Sequence, residues 1–424
     1  MGNLDYTQVL NKIENTRRFG NEPGVVVTAQ VIKVLREKGK QKRIIPYIHV
    51  AGTNGKGSVC AFFSSILKKE HMRVGTFVSP HLVDFEERIT VDGRMIPKED
   101  VTRLGNYLLD IDFGIGLTMF DYCLAMALLY FEEQQCDYMV IETGLGGRLD
   151  STNAIGTPQC AVITKIGYDH MAILGSDIAD IAAEKAGIIK ENSTVVVEQQ
   201  DKRAMQVIEQ EAQKKHARII TVEQSDIARC SGYALRLCGT FQWENAAAAE
   251  LAARYVLGKR YGGPEYEMQY DKTEPKREET DLNKRIKSAL EEAVWPGRME
   301  IVSKEPFLLV DGAHNSNGVD ALKESLMQMY PGEKFCFFMG VMADKDYDAM
   351  IREILPLAEE FYTVTPDSDR ALQASHLADF IRKEGVEATE LSGVDEIRKH
   401  LKRDTKNVAF GSLYFIGELK QHRI

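Results

Sequence analysis

Short apolar runs alternate with amphipathic stretches along almost the whole chain. Ile44–Val50 (IIPYIHV) predicts a buried strand with Pro46 as its one weak point, and Ser58–Lys69 predicts a helix. Val74–Ser79 reads as a strand, Asp121–Gln134 as a helix and Tyr138–Glu142 as a strand. Ala161–Ile166, Asp177–Ile189 and Thr194–Val197 then repeat the order strand, helix, strand. Such alternation builds a mainly parallel sheet covered by helices. It restarts near Pro306, with strands at Phe307–Val310, Phe335–Met339, Phe361–Thr365 and Val408–Phe410, and helices at Gly318–Met329 and Asp346–Ala358. Between the two series, Tyr261–Thr280 is polar, charged and poor in aliphatics, and reads as an exposed loop or insertion before a helix at Asp281–Ala293. The pattern predicts an α/β protein of two domains, 1–295 and 296–424, divided near Trp295-Pro296-Gly297.

Composition narrows the class. A chain of 424 residues is long for one domain, and 44% hydrophobic with 27% charged residues is a globular balance. A net charge of −10 argues against sequence-independent nucleic-acid binding, which needs a basic surface. No run of 18 apolar residues predicts a membrane span, and the segment from Met1 to Leu10 lacks the basic and apolar blocks of a signal peptide. Seven scattered cysteines without a CxxC pair suggest buried, inert thiols and a reducing cytoplasm.

The sharpest chemical feature is Gly52-Thr53-Asn54-Gly55-Lys56-Gly57-Ser58, placed between a predicted strand and a predicted helix. Glycines there let backbone N–H groups close around phosphate oxygens, and the helix N-terminus adds partial positive charge. Lys56 can reach the β- and γ-phosphates, while Ser58 can cap the helix or approach Mg²⁺. It is not a Walker A loop. Val50 stands where that pattern has its first glycine, and Gly57 where it has Ser or Thr.

Glu142 ends a predicted strand and precedes Gly144, Gly146 and Gly147, so it can face a ligand crevice and hold Mg²⁺. A solvated glutamate in a Gly-rich turn is the plain alternative. Asp169-His170 ends the next strand, where a ligand role and a structural role stand level. Ser79-Pro80-His81 follows another strand and reads equally as a simple turn. Lys185, in an amphipathic helix, reads on its own as an ordinary solvated lysine.

Together these stretches resemble the folylpolyglutamate synthase/dihydrofolate synthase branch of the Mur-ligase superfamily. The resemblance rests on His49–Ser58, Ser79-Pro80-His81-Leu82, Glu87-Arg88-Ile89, Ile141–Asn153 and Asp169-His170. It continues through Glu184–Ile188, Trp295-Pro296-Gly297-Arg298, Asp311–Asn315 and Gly340–Asp346. It implies a P-loop-type ATP-binding domain with a parallel-rich sheet and a smaller Rossmann-like C-terminal domain, with the active site in the cleft between them. It further implies that Gly52–Ser58 binds ATP phosphates and that Ser79, Glu142 and His170 ligate Mg²⁺. Lys185 would be carbamylated, Asn245 and Asp311 would contact the nucleotide, Arg298 would reach phosphate, and His314 would lie near the reacting groups. The implied reaction adds L-glutamate to a folate, and also to dihydropteroate, through an acyl phosphate, in a cytoplasmic monomer with small-molecule partners only. Another Mur-type amino-acid ligase and a non-catalytic nucleotide-binding relative are the alternatives. Two stretches depart from the family pattern. Lys165-Ile166-Gly167-Tyr168 stands where relatives have Asn-Ile-Gly, and Gly24–Gln30 differs where they contact the pterin.

Overall fold

A computed structural model describes residues 3–17, 20–262 and 281–422. Most of the expected loop at Tyr261–Thr280, from residue 263 on, lies outside the described residues; Tyr261 itself closes a helix, Phe241–Tyr261. The chain forms two compact units, Met1–Ala234 with Glu244–Ala293, and Leu235–Trp243 with Val294–Ile424.

The first unit is built on an eight-stranded sheet. Its strands are β1 (Tyr47–Ala51), β2 (Val74–Phe77), β3 (Ile89–Val91), β4 (Arg94–Met95), β5 (Tyr138–Glu142), β6 (Cys160–Ile163), β7 (Thr194–Val197) and β8 (Arg218–Thr221). The order is β4-β3-β2-β5-β1-β6-β7-β8. From β2 to β8 every neighbouring pair is parallel, while β3 and β4 return antiparallel at one edge. Every residue of β1, β5, β6 and β7 is buried, which a sheet covered on both faces requires. One face carries two neighbouring cores, one including Phe77, Phe131 and Ile141 and one including Ile163, Ile181 and Val195, while the opposite face, with Thr76 and Tyr138, packs on the helix Lys56–Lys69. The chain moves to β2 and β5 on one side of β1 and to β6 on the other. The carboxyl end of β1 is thus the reversal point, where open α/β sheets place their ligand crevice.

The second unit carries a six-stranded sheet of β9 (Glu300–Lys304), β10 (Phe307–Val310), β11 (Phe335–Met339), β12 (Ala358–Thr363), β13 (Ala388–Glu390) and β14 (Lys406–Phe410). The order is β13-β12-β11-β14-β10-β9, parallel throughout except for β9. Phe337 anchors its core, 5.2 Å from the Phe361 ring and 5.5 Å from Phe410. No described helix is long and apolar enough to cross a membrane. All seven cysteines are free, and six are buried.

Local chemistry explains where element ends differ from the pattern. β1 begins after Pro46, which has no N–H for the ladder. The helix expected from Ser58 begins at Lys56, because Gly55 in the left-handed region makes the turn into it. The strand expected to reach Ile166 stops at Ile163, and the next residues turn toward the glycine loop. The stretch Asp346–Ala358 divides into a helix, Tyr347–Ile354, and a short turn containing Pro356, so that Ala358 already opens β12. The departing Gly24–Gln30 segment opens a helix, Gly24–Glu37.

Candidate active site

The glycine loop leaves β1 at the reversal point and enters the helix Lys56–Lys69. Gly55 has φ +92°, and a Cβ there would lie 2.3 Å from the Asn245 Oδ1. On Gly52 it would meet the Thr164 Oγ1 at 1.8 Å. Both positions therefore demand glycine, Gly55 twice over. No side chain caps the helix. Its opening amides and dipole remain an anion-binding feature. Ser58 is not the cap: it lies buried inside the first turn. Lys56 Nζ donates to the Gly52 and Thr53 carbonyls, each at 3.2 Å, and sits 3.9 Å from Glu142 Oε1.

Glu142 is delivered by the sheet. It ends β5 in register with Val50 and is 4% exposed. Its Oε2 accepts the Ser79 N–H at 3.3 Å, so Ser79, Glu142 and Lys56 come together. Two residues after Ser79, the His81 Nδ1 accepts from Arg88 Nε at 2.8 Å. Burial and the Arg88 charge push this imidazole down to about 4, so it is neutral with its proton on Nε2. His170 opens the short helix Met171–Leu174 in a left-handed conformation, and its N–H donates to Asp169 Oδ1 at 2.8 Å. Among the described residues no group of three or more His, Cys, Asp and Glu side chains could hold a metal. The donors fit Mg²⁺, which keeps several waters and takes one or two hard protein oxygens. Buried Glu142, beside Ser79, is such an oxygen donor.

Lys185 corrects the reading made from its helix alone. It faces inward beside Ile181 and Ala182, is 4% exposed, and donates to the Gly52 carbonyl at 2.7 Å. Lys56 and Lys185 thus share one acceptor on the glycine loop. Burial first, then the Lys56 charge, push the Lys185 amine down to about 7, with Asp169 and Asp150 opposing.

A buried relay escaped the sequence reading. Thr152 Oγ1 bonds both Asp150 Oδ1 and, at 2.7 Å, His49 Nε2. The hydroxyl has one proton and Asp150 accepts it, so His49 must donate from Nε2. Burial pushes His49 down to about 3 and the Asp150 carboxyl up. The relay ties the strand before the Gly52–Ser58 loop to the segment after Glu142. Its partners lie 103 positions apart, and no local pattern links them.

In the second unit, the end of β10 gathers Asp311, Gly312 and His314. Asp311 Oδ2 accepts from Met299 N–H at 2.8 Å and Oδ1 from Ala313 N–H at 2.7 Å. Burial raises its carboxyl, with Arg298 the chief opposing charge. A Cβ on Gly312 would lie 3.1 Å from the Arg298 guanidinium. His314 donates from Nδ1 to the Gly312 carbonyl at 2.8 Å.

Known proteins share this fold. The family profile of the Mur ligase middle domain matches residues 50–253, and that of the Mur ligase glutamate ligase domain matches residues 297–410. The dihydrofolate synthase/folylpolyglutamate synthase of Bacillus subtilis is 33% identical, over 98% of each chain. Among solved structures, E. coli FolC in complex with DHPP and ADP superposes with a TM-score of 0.80 at 26% identity, over 99% of this chain and 97% of that one. The bifunctional folylpolyglutamate synthase/dihydrofolate synthase of Yersinia pestis, complexed with AMPPNP and a Mn ion, gives 0.81 at 25% identity, over 99% and 98%.

Proposed function

This chain belongs to the dihydrofolate synthase/folylpolyglutamate synthase family of Mur ligases, and from that premise we propose how its residues divide the work of an ATP-dependent ligase. The reaction joins the amine of L-glutamate to a folate carboxylate; dihydropteroate is the second acceptor in this reading. The observation that carries it is the glycine loop at the carboxyl end of β1, with Lys56 Nζ 3.9 Å from buried Glu142.

A carboxylate is a poor electrophile. An acceptor carboxylate oxygen attacks the γ-phosphorus of ATP, the bond to the β-phosphate bridging oxygen breaks, and ADP leaves. The glutamate nitrogen then attacks the acyl carbon, phosphate departs with the bonding pair, and the nitrogen loses its proton. Catalysis of such steps is chiefly alignment and charge neutralisation. In this assignment Gly52 to Ser58 cradle the phosphates and Lys56 neutralises them. Asn245 and Asp311 bind the nucleotide, Arg298 adds charge to phosphate, and His314 lies near the reacting groups. Glu142, Ser79 and His170 would hold Mg²⁺, which would supply charge neutralisation for the phosphates.

Lys185 is assigned a carbamate. A buried amine with its pKa near 7 is substantially neutral at physiological pH, and only the neutral form adds to CO₂. The nitrogen lone pair forms the N–C bond as one C–O π bond opens onto oxygen, the nitrogen releases one proton, and an anion replaces the neutral amine. The free thiols are in keeping with a cytoplasmic setting, and the ligase is taken to act as a monomer on small molecules.

The test is ADP formation from ATP with dihydropteroate or tetrahydrofolate, with and without L-glutamate. Turnover that requires both acceptor and glutamate is expected. No stimulation by any pteroate-type acceptor would overturn the folate assignment.

A further inference from the structure

The phosphate loop does not hold its own shape. Thr53 N–H and Asn54 N–H both donate to the Lys165 carbonyl, at 2.9 and 3.2 Å. Thr164 Oγ1 donates to the Asn54 carbonyl at 2.6 Å, and the Thr53 hydroxyl bonds the Gly167 backbone at 3.0 Å. The segment Thr164–Gly167, just after β6, is therefore the mould against which residues 53 and 54 are set.

That segment has left the sheet, so its own amides need acceptors. The end of β7 supplies them. Glu198 Oε2 accepts the Lys165 N–H at 2.7 Å, and Gln200 bonds the Ile166 N–H and the Thr164 carbonyl at 2.9 and 3.0 Å. Lys165 Nζ donates to the Gln199 carbonyl at 2.8 Å. Glu244 accepts the Gln199 N–H at 2.7 Å, and the next residue, Asn245, abuts Gly55.

Glu198 is the costly member of this set. It is 1% exposed, and its Oε1 has no hydrogen-bond partner among the described residues. It directly follows three valines of β7, where an apolar side chain would pack without that penalty. We propose that Glu198 is a positioning residue for nucleotide binding, acting through the Lys165 backbone to fix the course of the loop at Thr53 and Asn54. The inference rests on the reading of Gly52–Ser58 as the phosphate site. Burial, and then the Glu244 charge, favour the neutral carboxylic acid at Glu198. A glutamine there preserves both shape and acceptor.

The test measures ADP affinity by calorimetry, the KM values for ATP and glutamate, kcat and thermal stability in the full chain. Glu198→Ala is expected to weaken ADP and raise KM for ATP about tenfold, the effect of one orphaned buried donor. KM for glutamate and kcat at saturating ATP stay within about twofold. Glu198→Gln stays near the parent protein, and Glu198→Asp, one methylene short, moves the same way as alanine if the alanine variant does not fold. An effect on stability or kcat alone, with ADP affinity and KM for ATP unmoved, overturns the proposal by making Glu198 merely structural. A glutamine variant as weak as alanine also overturns it. Lys56→Ala separates the two levels. If it too leaves ADP affinity intact, the phosphate-loop reading falls; if it alone weakens ADP, only the role of Glu198 falls.

Discussion

Two lysines bond the same carbonyl, that of Gly52, and their surroundings make them chemically different. Lys56 lies on the glycine loop, its side chain 18% exposed and 3.9 Å from Glu142. Lys185 comes from a helix packed against the other face of the sheet, 4% exposed among aliphatic side chains, with its amine pushed down to about 7. Under the assignment proposed above, one residue type serves as a phosphate-facing charge or as a nucleophilic amine. The difference lies in desolvation and in the charge of the other lysine.

The largest effect should come from removing the fixed charge. Lys56→Ala is expected to lower ATP-dependent ligation about 10²- to 10³-fold, the usual loss when a group aimed at developing charge is removed. Retention of full activity would dismiss the loop as the phosphate site. Lys56→Arg keeps the cation and should retain far more activity. At the other lysine the order inverts. Lys185→Arg installs a group that cannot lose its proton and cannot add CO₂, in a buried position. It should cost about 10²-fold in kcat, a loss on the scale of an altered metal surround. If arginine is tolerated at 185 as well as at 56, the contrast between the two sites is false.

A smaller effect tests the neutral amine directly. With a pKa near 7, the neutral fraction of Lys185 rises about tenfold between pH 6 and pH 8. Carbamate formation at constant dissolved CO₂, followed by ¹³C NMR, should rise in step, and no Lys185-dependent signal at either pH would remove the modification. The smallest effect is on stability, in CO₂-free buffer. An unfolded lysine titrates near 10.5 and Lys185 in the fold near 7. Between those values the unfolded chain holds the extra proton, so this group makes stability rise with pH through the window, by at most about 1.4 kcal/mol per pH unit. Its penalty is complete below about 7. Lys185→Met should flatten that rise in denaturant titrations at pH 7 and 9; an unchanged slope would mean the amine is not depressed.

The same contrast separates what could be read from the chain from what could not. The glycine loop was legible because its chemistry is contiguous: strand, seven residues and helix follow one another, and backbone amides need no distant partner. Glu142 was legible for a related reason, since a strand end in a parallel sheet faces the crevice. Helix and strand ends slipped by a few residues where a single group decided them, at Pro46, Gly55 and Pro356. Lys185 looked solvated because its helix pattern does not reveal the sheet and the loop on which it packs.

By itself, then, the sequence determined the alternation that makes a parallel sheet, the glycine loop at the end of its central strand, and the family. It determined these through local periodicity, contiguous motifs and their order along the chain. Only the tertiary structure decided that Lys185 is buried against Gly52, that His49, Thr152 and Asp150 form one relay, and that Glu198 stands behind the loop. Burial and hydrogen-bond partnership depend on segments more than 30 residues away, brought together by the crossing of strands.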